Sequence, residues 1–135
     1  MQFQYKTNKD LHPANISALY SDARWTNYTK DMPKLMRGID NSLDVISAWD
    51  EDKLVGLVRT IGDKETIIYI QDILVLKVYK RQGIGRHLMK LILEKYQDVR
   101  QIVLVTDSET EQKYFYESMG MEDCSLAKLK TYRKV

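Results

Sequence analysis

A basic turn that contains two glycines is the stretch of the sequence best suited to bind a charged ligand. It reads Lys80-Arg81-Gln82-Gly83-Ile84-Gly85 and is followed by Arg86. Glycine lets the backbone approach a ligand closely and adopt dihedral angles that are closed to other residues. If a helix starts here, its first amides lack intrahelical partners and lie at the positive end of the helix dipole. The sequence therefore predicts a phosphate-binding turn, to which Lys80, Arg81 and Arg86 add charge of the right sign.

The turn differs from the two commonest phosphate loops. Leu88 stands where the third glycine of a dinucleotide G-x-G-x-x-G would be, and no Gly-Lys-Ser/Thr follows to make a nucleotide P-loop. A nucleotide-phosphate binder is therefore disfavoured.

The residues on either side of the turn predict a strand and a helix. Ile67–Leu76 is nearly continuous in apolar, β-branched and aromatic residues, which is typical of a strand buried on both faces. After the turn, Ile84, Leu88 and Ile92 recur at the spacing of one helix face. A helix this apolar must lie on a sheet.

The turn and a second motif resemble the GNAT superfamily of acetyl-CoA-dependent N-acetyltransferases, as a small single-domain bacterial-type member. The family signature Gln/Arg-x-x-Gly-x-Gly/Ala follows a buried strand, and here Lys80 replaces the usual Gln or Arg. Downstream, Phe115-Tyr116-Glu117-Ser118-Met119-Gly120-Met121 resembles the family's Phe-Tyr-x-x-x-Gly-Phe segment. The resemblance implies an α/β GNAT fold, with a mixed, mostly antiparallel central sheet and helices on both faces. We expect one N-acetyltransferase domain over residues 1–135.

The resemblance also implies a binding mode for acetyl-CoA. The pyrophosphate would lie on the amides of Arg81 to Arg86, and the pantetheine would pair like an added strand with the backbone around Leu74. A bulge close to residues 74–76 is expected to open the sheet for it. Glu109 stands where the family often has an asparagine. The predicted cofactor-binding residues are Ile73, Leu74, Val75, Lys80, Arg81, Gln82, Gly83, Ile84, Gly85, Arg86, Glu109 and Tyr116.

Two residues are the candidates for proton transfer. Tyr116 matches the family's usual general acid and would protonate the departing thiolate, whereas Tyr114 should point elsewhere around the helix. Asp72 is the nearest carboxylate that could act as a base; water leading to bulk solvent is the alternative. Strand alternation places Asp72 on one face with Ile70 and Leu74.

Trp25 and Tyr28 are the candidate acceptor-binding residues. The resemblance implies that the acceptor site lies between the first two short helices. Ring faces, with Asp22, Asp31 and Asp44 nearby in sequence, could hold a cationic amine. The alternative is that the aromatic pair covers an edge of the core.

The remaining elements follow from local patterns. Pro13 and Pro33 each suit a first helical turn, and Gly120 suits a helix end. The expected elements are strand Phe3–Lys6, a helix from His12 or Leu11, an aromatic loop Arg24–Thr29, a helix from Pro33, a hairpin of Leu43–Trp49 and Leu54–Ile61, a parallel strand Ile102–Val105, a helix Glu109–Met119 and a closing strand Leu126–Arg133.

Bulk properties exclude several classes of protein. The 135 residues carry 21 basic and 19 acidic side chains, and this near balance argues against a nucleic-acid partner or an anionic membrane. No signal peptide or apolar run of about 18 residues is visible, so we expect a cytoplasmic protein. Cys124 is the only cysteine, which rules out an intrachain disulfide and, with two histidines, makes a structural metal site improbable.

The resemblance implies transfer of an acetyl group from acetyl-CoA to a primary amine, and we expect the acceptor to be a small molecule. Direct attack in a ternary complex is expected, because no activated nucleophile is visible for a covalent acyl-enzyme. The alternative is a non-catalytic acyl-CoA-binding or sensing module of the same fold. A homodimer is left open.

Overall fold

The computed structural model describes residues 2–135. The strands are β1 (Gln4–Lys6), β2 (Asp44–Asp50), β3 (Lys53–Gly62), β4 (Ile67–Val75) and β5 (Gln101–Leu104). The α-helices are α1 (Pro13–Asp22), α2 (Thr26–Thr29), α3 (Met32–Asp40), α4 (Ile84–Lys95) and α5 (Thr110–Ser118). Two short 3-10 turns are Lys77–Tyr79 and Cys124–Ala127. The chain divides into two compact units at the boundary between Val103 and Leu104.

The strands form one mixed five-stranded sheet in the order β1-β2-β3-β4-β5. The first three pairings are antiparallel, and β1 lies at one edge of the sheet. This confirms the α/β architecture expected from the sequence. No helix among residues 2–135 is both long and apolar enough to cross a membrane.

The first helices begin where the sequence signals predict. His12 is the N-cap of α1 and accepts a hydrogen bond from the Ala14 amide, with Pro13 in the first turn. Asp31 caps α3 in the same way, through the Lys34 amide. Between them, the expected aromatic loop contains the single-turn helix α2.

Helices cover both faces of the sheet. Gly56 and Arg59 are three residues apart in β3, so they point to opposite faces. A Cβ atom at Gly56 would lie 2.9 Å from Cγ2 of Ile84, which shows that α4 packs tightly against this face. Arg59 instead pairs with Asp72, which also accepts a hydrogen bond from Tyr20 of α1. The two faces are therefore covered by α4 and by α1.

Gly56→Ala is expected to destabilise the protein by about 1–3 kcal/mol, because the added methyl group overpacks the contact between β3 and α4. Gly38→Ala is the matched control. Its added Cβ would be 3.6 Å from its nearest neighbour, an Arg59 side-chain nitrogen, and Gly38 lies inside α3, where alanine should stabilise by about 0.5–1 kcal/mol. Urea unfolding of both variants measures the two changes, and a loss of stability in both or in neither would contradict the close packing.

One extra residue, Gln71, interrupts the pairing of β4 with β3. Arg59 pairs with Asp72, but the next residue of β3, Thr60, pairs with Ile70. This arrangement is a β-bulge. Directly paired residues share a face, and Arg59 and Thr60 point to opposite faces, so Ile70 and Asp72 also lie on opposite faces.

The bulge corrects three expectations for this strand. Asp72 shares a face with Leu74 but not with Ile70. The register shift between β3 and β4 lies at Gln71 rather than close to residues 74–76. Burial along the strand is not continuous either: buried and half-buried residues alternate, and the bulge places the buried ones on both faces. Alternation counted from the sequence cannot detect an inserted residue, because the register is set by the neighbouring strand.

The expected closing strand, Leu126–Arg133, was wrong. Its first residues belong to the 3-10 turn Cys124–Ala127, which Asp123 caps through the Ser125 amide. Lys128 then adopts a left-handed conformation with φ of 60°. Leu126, Leu129 and Tyr132 are all exposed, so the apolar alternation that suggested a strand has no buried face here.

Candidate active site

The glycine turn has the conformation that its sequence predicted. Arg81 and Gly83 both have positive φ, 66° and 85°, and Gly83 is the N-cap residue of α4. No side chain caps this helix start. A Cβ atom at Gly83 would meet nothing within 4 Å. Glycine is thus favoured here by the left-handed backbone, and the space beside its Cα at the helix start is open.

The predicted cofactor residues of this unit contribute different groups. Lys80, Arg81, Gln82, Gly83 and Arg86 are exposed. By contrast, the buried side chains of Ile84 and Leu74 belong to the core, so these two residues can offer only backbone groups to a ligand. Ile73 and Val75, like Gly85, are half-buried.

A hydrogen bond connects this turn region to α1. The backbone N–H of Lys77, just after β4, donates to the carboxylate of Asp22 at 2.8 Å. Tyr79 donates to Asp50 at the other end of the same 3-10 turn. The segment leading into the glycine turn is therefore fixed at both ends by carboxylates.

Asp72, the candidate base, lies in a buried polar cluster. It is 3% exposed, forms an ion pair with Arg59, and accepts hydrogen bonds of 2.9 Å from the hydroxyls of Tyr20 and Tyr28. The Arg59 guanidinium also donates to Ser42 at 3.3 Å. A carboxylate that is enclosed and bonded in this way has no surface for direct contact with an acceptor amine. The geometry favours a positioning role for Asp72.

Both tyrosine hydroxyls in this cluster are held in the protonated form. Burial is the main cause that raises the pKa of Tyr20, and the neighbouring Asp72 charge raises it further. Burial also raises the pKa of Tyr28, although a hydrogen bond from Gln71 acts in the opposite direction. Both phenols are therefore hydrogen-bond donors to Asp72 throughout the physiological pH range.

Trp25 and Tyr28, the candidate acceptor residues, belong to one aromatic cluster with Tyr20. Edge-to-face contacts join Tyr20 to Trp25 at 5.9 Å and to Tyr28 at 5.3 Å between ring centroids. Arg59 lies 5.8 Å from the Tyr28 ring centre. Trp25 and Tyr28 are half-buried, so they both cover a core edge and leave ring surface accessible.

The three nearby carboxylates are engaged elsewhere. Asp22 binds the backbone of Lys77, and Asp31 caps α3. Asp44 accepts hydrogen bonds from Lys95 of α4, from Thr60 of β3 and from Tyr96, which directly follows α4. None of the three has a hydrogen bond to the aromatic cluster among the interactions of residues 2–135.

The second unit holds the candidate acid. Tyr116 is half-buried in α5, while Tyr114 is 66% exposed, which agrees with the expectation that their side chains point in different directions. Burial raises the pKa of Tyr116, and a hydrogen bond with Thr106 lowers it only in part. Glu109 is the exposed N-cap residue of α5 and makes no capping hydrogen bond through its side chain.

Sequence reasoning missed Arg59, Tyr20 and Gln71. A signal for Arg59 was available, because it is a charged residue within an otherwise apolar strand, and a buried charge requires a partner. Asp72 is the matching charge in the next strand. Pairing the two would have required the strand register.

Comparisons with known proteins agree with this architecture. A family model described as an acetyltransferase (GNAT) domain matches residues 8–131. A GNAT-family acetyltransferase of Streptococcus pneumoniae TIGR4 is 31% identical, with a TM-score of 0.89, over 99% of this chain and 98% of that chain. An aminoglycoside N-acetyltransferase, solved in complex with CoA, shares the fold at 14% identity and a TM-score of 0.76, over 98% of this chain and 95% of that chain.

A curated relative also matches. This histone acetyltransferase of Glycine max is 25% identical over 90% of this chain, and the chain spans 56% of that relative's length. No group of three potential metal ligands occurs among residues 2–135. The family model covers most of the sequence and the architecture agrees with it, so the chain belongs to the GNAT acetyltransferase family.

Proposed function

We propose that this protein transfers the acetyl group of acetyl-CoA to a primary amine, by direct attack of the amine in a ternary complex. The observation that carries the proposal is the open, uncapped start of α4 at Gly83, beside the exposed basic residues Lys80 and Arg81. Backbone amides at a helix start bind phosphate groups without further help from side chains. We place the activity in a single cytoplasmic domain and expect a small-molecule acceptor.

In this proposal the pyrophosphate of CoA lies on the turn and the pantetheine runs back along β4. Its amide groups pair with the backbone of Ile73 and Val75, as an added strand would. The CoA complex of an aminoglycoside N-acetyltransferase with the same fold supports the choice of cosubstrate. Glu109 and Tyr116 remain proposed cofactor contacts, as the resemblance to the family implies.

The chemistry then needs little from the protein. The amine must be neutral to attack, since an alkylammonium has a pKa of about 10.4, and its proton leaves through water because Asp72 is enclosed. Tyr116 donates a proton to the departing thiolate. No acyl-enzyme is required, and the reaction needs no metal.

An assay of CoA release with pools of primary amines tests the proposal. Thiol formation that depends on both acetyl-CoA and an amine, with the acetylated amine identified by mass spectrometry, is the expected result. Binding of acetyl-CoA without turnover of any amine would favour the alternative, a non-catalytic acyl-CoA-binding module.

Gly83→Ala is expected to weaken CoA binding more than tenfold, about 1.4 kcal/mol, because its methyl group would project into the open space beside the turn on which the pyrophosphate is proposed to lie. The left-handed conformation adds a loss of stability of about 1 kcal/mol. Gly120→Ala is the matched control: Gly120 has φ of 84° and equally open surroundings, so the loss of stability should be similar while CoA affinity is kept. Calorimetric titration measures both affinities. Equal losses of CoA affinity in the two variants, or no loss in Gly83→Ala, would contradict phosphate binding at the glycine turn.

A further inference from the structure

We propose that Gln71 positions the acceptor by accepting a hydrogen bond from the reacting amine on its side-chain carbonyl oxygen. This inference rests on the proposed function and adds a residue to it. Three features of the structure support it: the bulge in β4, the hydrogen bonds around Tyr28, and the position of the bulge relative to the glycine turn.

The bulge brings Gln71 and Asp72 to the same hydroxyl group. In a regular strand, consecutive side chains point to opposite faces. Here the amide nitrogen Nε2 of Gln71 lies 2.8 Å from the Tyr28 hydroxyl, and a carboxylate oxygen of Asp72 lies 2.9 Å from it. Two neighbouring side chains of one strand thus converge on one phenol, as the inserted residue permits.

Proton positions in this chain follow from the ion pair. Asp72 is paired with Arg59, and a carboxylate can only accept hydrogen bonds. The single hydroxyl proton of Tyr28 must therefore be donated to Asp72. Toward Gln71 the Tyr28 oxygen can then only accept a hydrogen bond, so Gln71 must direct its NH2 group at this oxygen. The orientation of the Gln71 amide is set by a charge that Gln71 does not touch.

This orientation leaves the carbonyl oxygen Oε1 of Gln71 without a protein donor. It has no hydrogen-bond partner within residues 2–135, and none of the buried side-chain polar atoms in that range lacks a partner. Oε1 is therefore in contact with solvent rather than enclosed, consistent with the half-buried state of Gln71. It is an oriented acceptor that is open to a ligand.

The bulge also lies where the reacting end of the cofactor should be. The glycine turn follows the C-terminal end of β4, and the proposed pantetheine runs back from it to Ile73. Gln71 is two residues further along, about 7 Å at the rise of a strand. The thioester, at the end of the pantetheine, would therefore come closest to this part of the strand.

A neutral carbonyl oxygen suits an amine nucleophile. An amine that has lost one proton still has an N–H to donate, while its lone pair stays free to attack the thioester carbon. An alcohol has one hydrogen, which it loses in the reaction. Gln71 is thus a positioning residue that favours N–H nucleophiles, and Tyr28 acts through it.

A double-mutant cycle on an amine identified in the CoA-release assay tests the assignment. Gln71→Leu removes the oxygen and is expected to lower kcat/KM for the amine about tenfold, mainly through KM. Tyr28→Phe keeps the ring but releases the Gln71 amide, and should cause a loss of up to about tenfold. Because both losses have the same origin, the double variant should lose no more than Gln71→Leu alone.

Tyr20→Phe is the matched control, since Tyr20 also donates to Asp72 at 2.9 Å but makes no bond to Gln71. It should cost stability but keep KM for the amine within about twofold, and CoA affinity should be unchanged in every variant. Gln71→Met replaces Gln71→Leu if the leucine variant does not fold.

Wild-type kinetics in folded Gln71→Leu, or additive losses in the double variant, would contradict the role of Gln71 but not the proposed function. A wild-type protein that acetylates no amine would instead contradict the proposed function, and this inference with it.

Discussion

Replacing Asp72 with alanine is expected to lower the free energy of unfolding by about 3–5 kcal/mol, the largest stability effect anticipated for a single side chain here. The side chains of Arg59 and Asp72 are only 6% and 2% exposed. Without the carboxylate, a buried guanidinium loses its counter-charge, and the hydroxyls of Tyr20 and Tyr28 lose their acceptor. These donors were taken out of water wholly or in part on folding, and each would lose the acceptor that the carboxylate provides.

Two comparisons separate the buried charge from the loss of side-chain volume. The double variant Arg59→Met with Asp72→Leu removes both charges and should recover much of the stability, because apolar replacements of buried pairs are often neutral or better. The ion pair Lys90–Glu94 has side chains 62% and 64% exposed, and Glu94→Ala should cost about 0.5 kcal/mol or less. Urea denaturation provides all three values. If Asp72→Ala were no worse than Glu94→Ala, the cluster would not depend on its charges.

Tyr116→Phe is expected to lower kcat by roughly ten- to a thousandfold, equivalent to about 1.4–4 kcal/mol of barrier, with little change in CoA affinity. The substitution removes one oxygen and keeps the ring packed, so the loss can be assigned to the hydroxyl. Because burial raises the pKa of Tyr116, the phenol stays protonated at neutral pH and the acid is available. The same raised pKa makes the phenol a weak acid, so a loss in kcat of only about tenfold is also consistent with the acid role.

Tyr114→Phe is the control, because Tyr114 lies in the same helix but is exposed. It should leave kcat unchanged. Measurements must be made where chemistry limits turnover, since slow product release would hide the effect. Equal rates for Tyr116→Phe and wild type under these conditions would remove the acid role and leave Tyr116 as a packing residue.

Local sequence signals were sufficient for most of the fold. Pro13 and Pro33 marked helix starts, and Gly83 marked the left-handed turn before α4. Each of these residues determines the backbone dihedral angles at its own position, so its effect can be predicted from the local sequence. By contrast, α2 is a single turn of four residues, too short to show a helical period.

The interior of the candidate site depends on contacts that sequence spacing does not contain. Arg59 and Asp72 are 13 residues apart in the chain, and Tyr20 is 52 residues from Asp72. Their association follows from the register of β3 with β4 and from the packing of α1 on the sheet. The expected closing strand failed for a related reason: Leu126–Arg133 alternates like a strand, but alternation alone supplies no neighbouring strand to pair with.

The bulge at Gln71 also determines how β4 tolerates a change in length. Upstream of it, Ile68 and Ile70 point toward α4, while Asp72 and Leu74 downstream point toward α1. Deleting Gln71 would make Ile70 and Asp72 consecutive, and regular alternation would then keep both halves of the strand on their present faces. Deleting a residue elsewhere in β4 would instead force one part of the strand to exchange its faces. The bulge is therefore the place where β4 can lose one residue, whereas packing on both sides of the sheet fixes the length of the segments before and after it.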